Sequence, residues 1–267
     1  MRPTLLRGQP IPREREIRRL ASGGDREGSA SLAFRAIPLT RKDVPVATVL
    51  TTRRKIGFGW LALTAVAIAV FAPLPYLTAP LEEMGDSGLA SHYAAKPAWV
   101  HAVLYTHMVG SGLALLLCPA QLSAKVRRRW PKFHRVLGRI TIVAMLVGGT
   151  AGAVLAPMSI AGVNGMAGFG LLAVLSVAFP VLGLRAIRRG DPAAHRRWMV
   201  RAFSLVYAGV MLRVGVILLL PVVGDFDSAY AFMPFGSWVP NLLVAEWVLR
   251  REQRRPQRRE PVPVGAG

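Results

Sequence analysis

Past residue 55 the chain is written as long apolar runs separated by short polar connectors. A helix rising 1.5 Å per residue needs roughly 20 apolar residues to cross about 30 Å of hydrocarbon. By that measure about six segments are expected to be transmembrane helices, at 56–77, 99–119, 140–158, 166–184, 199–221 and 237–249. The last is short, and crossing would require tilt, local thinning or extension through Phe232 and Phe235. The expected fold is therefore an all-α polytopic transmembrane bundle over residues 56–250.

Residues 1–55 are rich in Arg, Pro, Gly, Ser and Glu, a composition that cannot bury enough surface to offset chain entropy. They are expected to form a disordered basic cytoplasmic tail, with 251–267 as a second disordered basic tail. A secretory signal does not fit, because the first apolar run begins near Ile56 and is too long for a signal core. Translation starting downstream of part of this segment is the other reading left open.

Connector charge then sets an orientation. Arg53, Arg54 and Lys55 precede the first segment, and Lys125, Arg127, Arg128, Arg129, Lys132 and Arg135 lie between the second and third. Arg185, Arg188, Arg189, Arg196 and Arg197 separate the fourth and fifth; Arg250, Arg251, Arg254 and Arg255 follow the sixth. The alternate connectors hold Glu82, Glu83, Asp86, Asp225 and Asp227, with Lys96 as their base. Lys and Arg accumulate on the cytoplasmic side, so both termini are expected to be cytoplasmic. A net charge of +20 would suggest nucleic acid in a soluble chain, but hydrophobic residues make up 52% and the bases sit between or outside apolar runs. Mean hydropathy of +0.38 agrees. The expected partners are thus the lipid bilayer and anionic phospholipids at the cytoplasmic face, not nucleic acid. Cys118, alone within an apolar run, is read as a small buried hydrophobe.

Small residues recur at Gly110, Ser111, Gly112 and Ala114 in the second segment and at Gly148, Gly149, Ala151, Gly152 and Ala153 in the third. They permit either close helix packing or room for a flat cofactor. Two basic connectors end in Pro-x-x-His-Arg, once at Pro131 to Arg135 and once at Pro192 to Arg196. Proline suits the first helical turn, and Asp191 is a natural N-cap for the second copy. His134 and His195 then sit about one turn into their helices, where guanidinium groups and the helix macrodipole favour an anion: a lipid phosphate, a cofactor propionate or a carboxylate such as Glu246.

The other polar cluster lies inside the apolar runs. His107 and Arg213 are each placed roughly 12 Å from the outer end of their segments, and Asn241 reaches a similar level. An Arg in hydrocarbon costs roughly 2.5–3.5 kcal/mol on insertion scales, so Arg213 should face the interior and find acceptors. The candidates are His107, Tyr105, Thr106, Asn241, Asp225 and Asp227.

On the segments HMVGSGLALLLCPAQL (107–122), FHRVLGRI (133–140) and HRRWMVRAFSLVYAGVMLR (195–213), together with Asn241 and Glu246, the chain resembles the bacterial predicted membrane proteins grouped as domain of unknown function 2306. The resemblance spans roughly residues 56–250 and implies a multi-pass fold of the bacterial inner (plasma) membrane without an established activity. By motif match His107, Gln121, His134, Arg139, His195, Trp198, Arg201 and Arg213 occupy family positions whose roles are unassigned.

Three functional readings follow. The first is binding of an anionic or lipid-like ligand at His107, Arg213 and Asn241. The second is a b-type haem electron carrier with His134 and His195 as axial ligands and Arg135 and Arg196 near the propionates. The third is a lipid-binding scaffold. No catalytic residue and no metal site are assigned, since HExxH, CxxC, G-x-S-x-G and a phosphate loop are all missing. The run from Gly162 to Gly170 contains several glycines but lacks a phosphate loop's context, and is expected to be a tight outer turn.

Overall fold

The computed structural model describes residues 46–84 and 88–254, and every regular element among them is helical. Of the tails expected at 1–55 and 251–267, residues 1–45 and 255–267 lie outside the described residues, whereas 46–55 and 251–253 belong to helices. Helices α1 (Val46–Phe71) and α2 (Leu74–Thr78) form the first pass, and α3 (Gly88–Ala94) lies in the following connector. Then come α4 (Ala98–Leu122), α5 (Ala124–Arg129), α6 (Pro131–Leu155), α7 (Gly162–Arg188), α8 (Pro192–Val206) and α9 (Ala208–Val223). The chain ends with α10 (Phe226–Ala231), α11 (Met233–Gly236) and α12 (Val239–Gln253).

Among the described residues, five stretches are long and apolar enough to cross a membrane: Lys55–Thr78, Ala98–Leu122, Pro131–Met158, Gly162–Arg188 and Pro192–Val223. The sixth expected segment is corrected to α12, whose 15 residues span only about 22 Å. What precedes it is not an extended helix but the short α10 and α11. Pro234 and Ser237 are fully buried there and Trp238 is 4% exposed, so this irregular backbone is covered by protein, the condition for keeping non-helical backbone away from lipid. The chain nevertheless returns to the basic end of the bundle. Glu246 pairs with Arg201, and Glu252 pairs with Arg196 through a second bond of 2.9 Å.

Several helices extend beyond their apolar runs at the basic end, because terminal turns carry Lys and Arg that hydropathy leaves out. Pro131 and Pro192 each occupy a first-turn position, and Asp191 caps α8 by accepting from the Ala194 N–H at 2.7 Å. The first helix likewise starts at Val46, upstream of Ile56. The glycine-rich run from Gly162 is not a turn, contrary to expectation: it forms the first turns of α7. Within that run only Gly162 has positive φ, at +58°; Gly168 lies so close to Pro234 that a Cβ would come within 2.5 Å of it.

Helix α4 packs on α6, α1 and α8, while α7 bridges α6 and α8. The α4–α6 contact is backbone to backbone: a Cβ on Gly110 would stand 2.8 Å from the Gly148 nitrogen, and one on Gly148 would stand 2.7 Å from the Ser111 nitrogen. The small-residue stripe is thus used for helix packing. Cys118, 2% exposed, sits with Ala114, Ile142, Met145 and Phe203 in the core. Outward faces carry large apolar side chains such as Leu63, Phe71, Val174, Ile217, Leu218 and Val222, the pattern of a surface solvated by hydrocarbon.

Candidate functional site

All five membrane-length stretches contribute to one internal cavity of about 260 Å³. Its apolar wall includes Ile68, Leu115, Met145, Leu205 and Val206. Its polar lining comprises Tyr76, Tyr93, His107, Ser111, Ser159, Ser176, Arg213, Tyr230 and Ser237. Chain irregularities meet here as well. Pro73, beside the break between α1 and α2, lines the cavity, as do Val206 and Ala208 on either side of the one-residue interruption at Tyr207, and Ser237 between α11 and α12. Tyr207 is held by a hydroxyl–hydroxyl bond of 2.6 Å to Thr64 of α1.

His107 is positioned by the glycines of α6. Its ring edge lies against Gly152, where a Cβ would meet Nδ1 at 3.0 Å. Nδ1–H donates to the Gly148 carbonyl at 2.8 Å. That bond selects the tautomer whose Nε2 is an acceptor, and Nε2 has no hydrogen-bond partner among the described residues.

Arg213 is a cation inside a membrane-length helix without a carboxylate partner. One guanidinium nitrogen donates to the Gly209 carbonyl of its own helix at 2.9 Å, and the ion pairs among the described residues belong to Arg196 and Arg201. Tyr76, Tyr230 and His107 lie within its electrostatic reach. Burial raises the Tyr93 and Tyr230 phenols above their ordinary range, so these two hydroxyls stay neutral. Ser237 adds a fully buried hydroxyl with no hydrogen-bond partner among the described residues. A guanidinium with spare donors, an imidazole acceptor, a free hydroxyl and an apolar wall can together hold a small molecule with an anionic or hydrogen-bonding head.

The structure brings together two of the three residues expected at this site. Asn241 is absent from the lining; its amide donates to Ser237 O of the preceding turn at 3.0 Å. Of the other partners expected for Arg213, Asp225 caps α10 by accepting from the Ser228 N–H at 2.8 Å. Tyr105 and Thr106 face a different groove, on the outside of α4. Tyr76, Tyr93, Tyr230 and Ser237 were missed because each lies in or beside a helix break or connector, where apolar periodicity carries no directional signal.

At the basic end, His134 and His195 lie within electrostatic range of one another. His195 is oriented as metal-bound histidines usually are, its Nδ1–H donating to Gly183 O at 2.8 Å. His134 is not, since its Nδ1 is buried without a partner among the described residues. Arg196 is engaged by Glu252 and Arg135 is exposed. These residues therefore match haem ligation only in part, and no group of three or more His, Cys, Asp or Glu residues that could hold a metal ion occurs among the described residues. Glu246, expected as a carboxylate partner for this end, pairs with Arg201, which also lies 4.9 Å from the Trp198 ring.

An all-helical bundle with an apolar exterior and several membrane-length helices defines a multi-pass membrane protein. The chain belongs to the family described as "Predicted membrane protein (DUF2306)", matched over residues 104–249, more than half its length. That range holds His107, Arg213, Tyr230 and Ser237 and leaves out the first pass. No curated protein and no solved structure matches the chain.

Proposed function

We propose that this protein binds an anionic amphiphile within the bundle, with Arg213 as counter-ion, His107 and Ser237 as hydrogen-bonding groups and the wall around Leu115 and Met145 taking the apolar part. The observation that carries this reading is Arg213 itself: it lines a cavity of about 260 Å³ with only a backbone carbonyl as acceptor. A cation at this depth costs roughly 2.5–3.5 kcal/mol on insertion scales. A ligand anion would recover part of that cost, which favours anionic over neutral occupants. The convergence of helix interruptions beside Pro73 and at Ser237 on the cavity also supports a binding role, since membrane transporters interrupt helices where substrates bind.

The orientation proposed with it has both termini on the cytoplasmic side of a bacterial plasma membrane, because Lys and Arg cluster at one end of the bundle. Arg213 and His107 would then lie in the outer half. The ligand set proposed here omits Asn241.

Decanoate below its micellar concentration is a suitable probe, with decanol as its neutral counterpart. At ten times Kd, a ligand binding only the folded state stabilises it by about 1.4 kcal/mol, or roughly 3–6 °C in Tm for a domain of this size. Decanoate should raise the Tm of the detergent-purified protein, decanol should not, and Arg213→Gln should abolish the difference. Equal shifts from both probes, or an unchanged shift in Arg213→Gln, would refute the proposal.

A further inference from the structure

A second concavity lies on the lipid-facing side of the bundle, between α4 and α6, and is separate from the internal cavity. Gly110 and Ala144 form its floor and Val109, Leu113, Ile140, Val143 and Val147 its walls. Its origin is the close backbone approach at Gly110 and Gly148, which leaves a trough where two helices with larger side chains would present a ridge. The walls are open: Val143 is 58% exposed and Val109 is 59% exposed. The volume is about 680 Å³.

One cation stands at the end of this trough nearer the basic face. Arg139 is exposed, lies roughly 12 Å along α6 from Pro131, and makes no hydrogen bond or ion pair with the described residues. A guanidinium in that position extends along apolar surface toward the headgroup layer, where phosphate is the anion available.

We infer that the α4–α6 trough is a binding site for one anionic phospholipid, its phosphate on Arg139 and an acyl chain lying over Gly110 and Ala144 toward Val147. Charge and shape argue for the same occupant. The unpaired cation marks the headgroup position, and the apolar trough leading away from it suits a hydrocarbon chain and not a polar ligand. This differs from general attraction of lipid to a basic surface, because it assigns one arginine and one groove.

Native mass spectrometry of the delipidated full chain, titrated with dioleoylphosphatidylglycerol and dioleoylphosphatidylcholine, tests the assignment. Wild type should retain one phosphatidylglycerol in preference to phosphatidylcholine. Arg139→Gln should weaken that retention about fivefold, the effect of one basic contact at a membrane surface. Val143→Trp, which fills the trough and keeps the arginine, should also lose the lipid, whereas Arg128→Gln in α5 should not. Retention in Arg139→Gln equal to wild type, or equal losses in Arg139→Gln and Arg128→Gln, would overturn the site. Displacement by inorganic phosphate alone would overturn the acyl-chain contact. Unchanged helical circular dichroism in each variant separates lost binding from lost folding.

Discussion

The α4–α6 contact makes the sharpest quantitative demand on this structure. A Cβ on Gly110 would meet the Gly148 nitrogen at 2.8 Å, its Cα at 2.9 Å and the Ala144 carbonyl oxygen at 3.1 Å. None of these atoms belongs to a movable side chain, so Gly110→Ala must drive the two helices apart by roughly 0.5–1 Å. A gap of that size forfeits about a quarter to a half of each dispersion contact along the seam, and overpacking of this kind costs about 1–3 kcal/mol. The alanine itself returns about 1 kcal/mol of helix propensity, leaving a net loss of roughly 0–2 kcal/mol. Gly112, two residues on, provides the control, because its Cβ would meet only the Ala69 carbonyl at 3.9 Å. Gly112→Ala should therefore be neutral or stabilising by up to about 1 kcal/mol. Cys118, the sole cysteine and 2% exposed, supplies the assay. A thiol-reactive dye fluoresces only as the bundle opens, so its signal against temperature gives Tm without an added label. Gly110→Ala should melt up to about 8 °C below wild type and Gly112→Ala at or above it. Coincident melting of the two variants would refute the backbone contact and return the small-residue stripe to the cofactor-space reading.

Other expectations follow from the same geometry. Arg213→Leu should insert normally and leave the ligand-free Tm unchanged or slightly higher, since an almost unpaired cation is removed from an apolar bundle; a fall of several degrees would indicate a partner the cavity does not display. Glu246→Gln breaks the charge balance of a bidentate, partly buried pair, with side chains 21% and 28% exposed, and should cost about 1–3 kcal/mol. Faster protease cleavage within α12 would register that loss, and resistance equal to wild type would count against it. The N-cap bonds from Ser228 hold the Asp225 carboxyl below its usual range. A depressed folded pKa contributes stability above the unfolded value that is lost as pH falls through the folded one. Asp225→Asn should accordingly flatten the acid side of the Tm–pH curve, and parallel curves would discount the cap. For the basic end, a dithionite-reduced spectrum of protein expressed with ample haem should lack a b-type band, given the unoriented His134 and the engaged Arg196; a band lost in His134→Ala would reverse that assignment.

Much of the architecture was legible in the linear chain, because crossing a membrane is a one-dimensional requirement. Apolar length located five passes, to within about four residues at most of their ends but starting nine and seven residues late in the third and fifth, and the bases between them marked one end of the bundle. Where helices end was less legible, since the turns carrying Lys132, Arg135 and Arg196 lie outside the apolar count yet keep their helical hydrogen bonds. The last expected segment was least legible. Its helix breaks around Pro234 and Ser237 are tolerated because α7 and α9 cover them, and hydropathy cannot detect such cover.

The candidate site divides along the same line. That Arg213 and His107 must turn inward follows from the cost of a polar group in hydrocarbon, which the sequence alone establishes. Which groups they meet depends on helix rotation and on contacts distant in the chain. Gly148 and Gly152 orient His107 from another helix, while Asn241 turns back to its own helix at Ser237. Tyr76, Tyr93 and Tyr230 reach the cavity from breaks and connectors on three different parts of the chain. Burial depth is set by the distribution of apolar residues along the sequence, whereas the neighbours across a bundle are set by packing, and only the tertiary structure decides those.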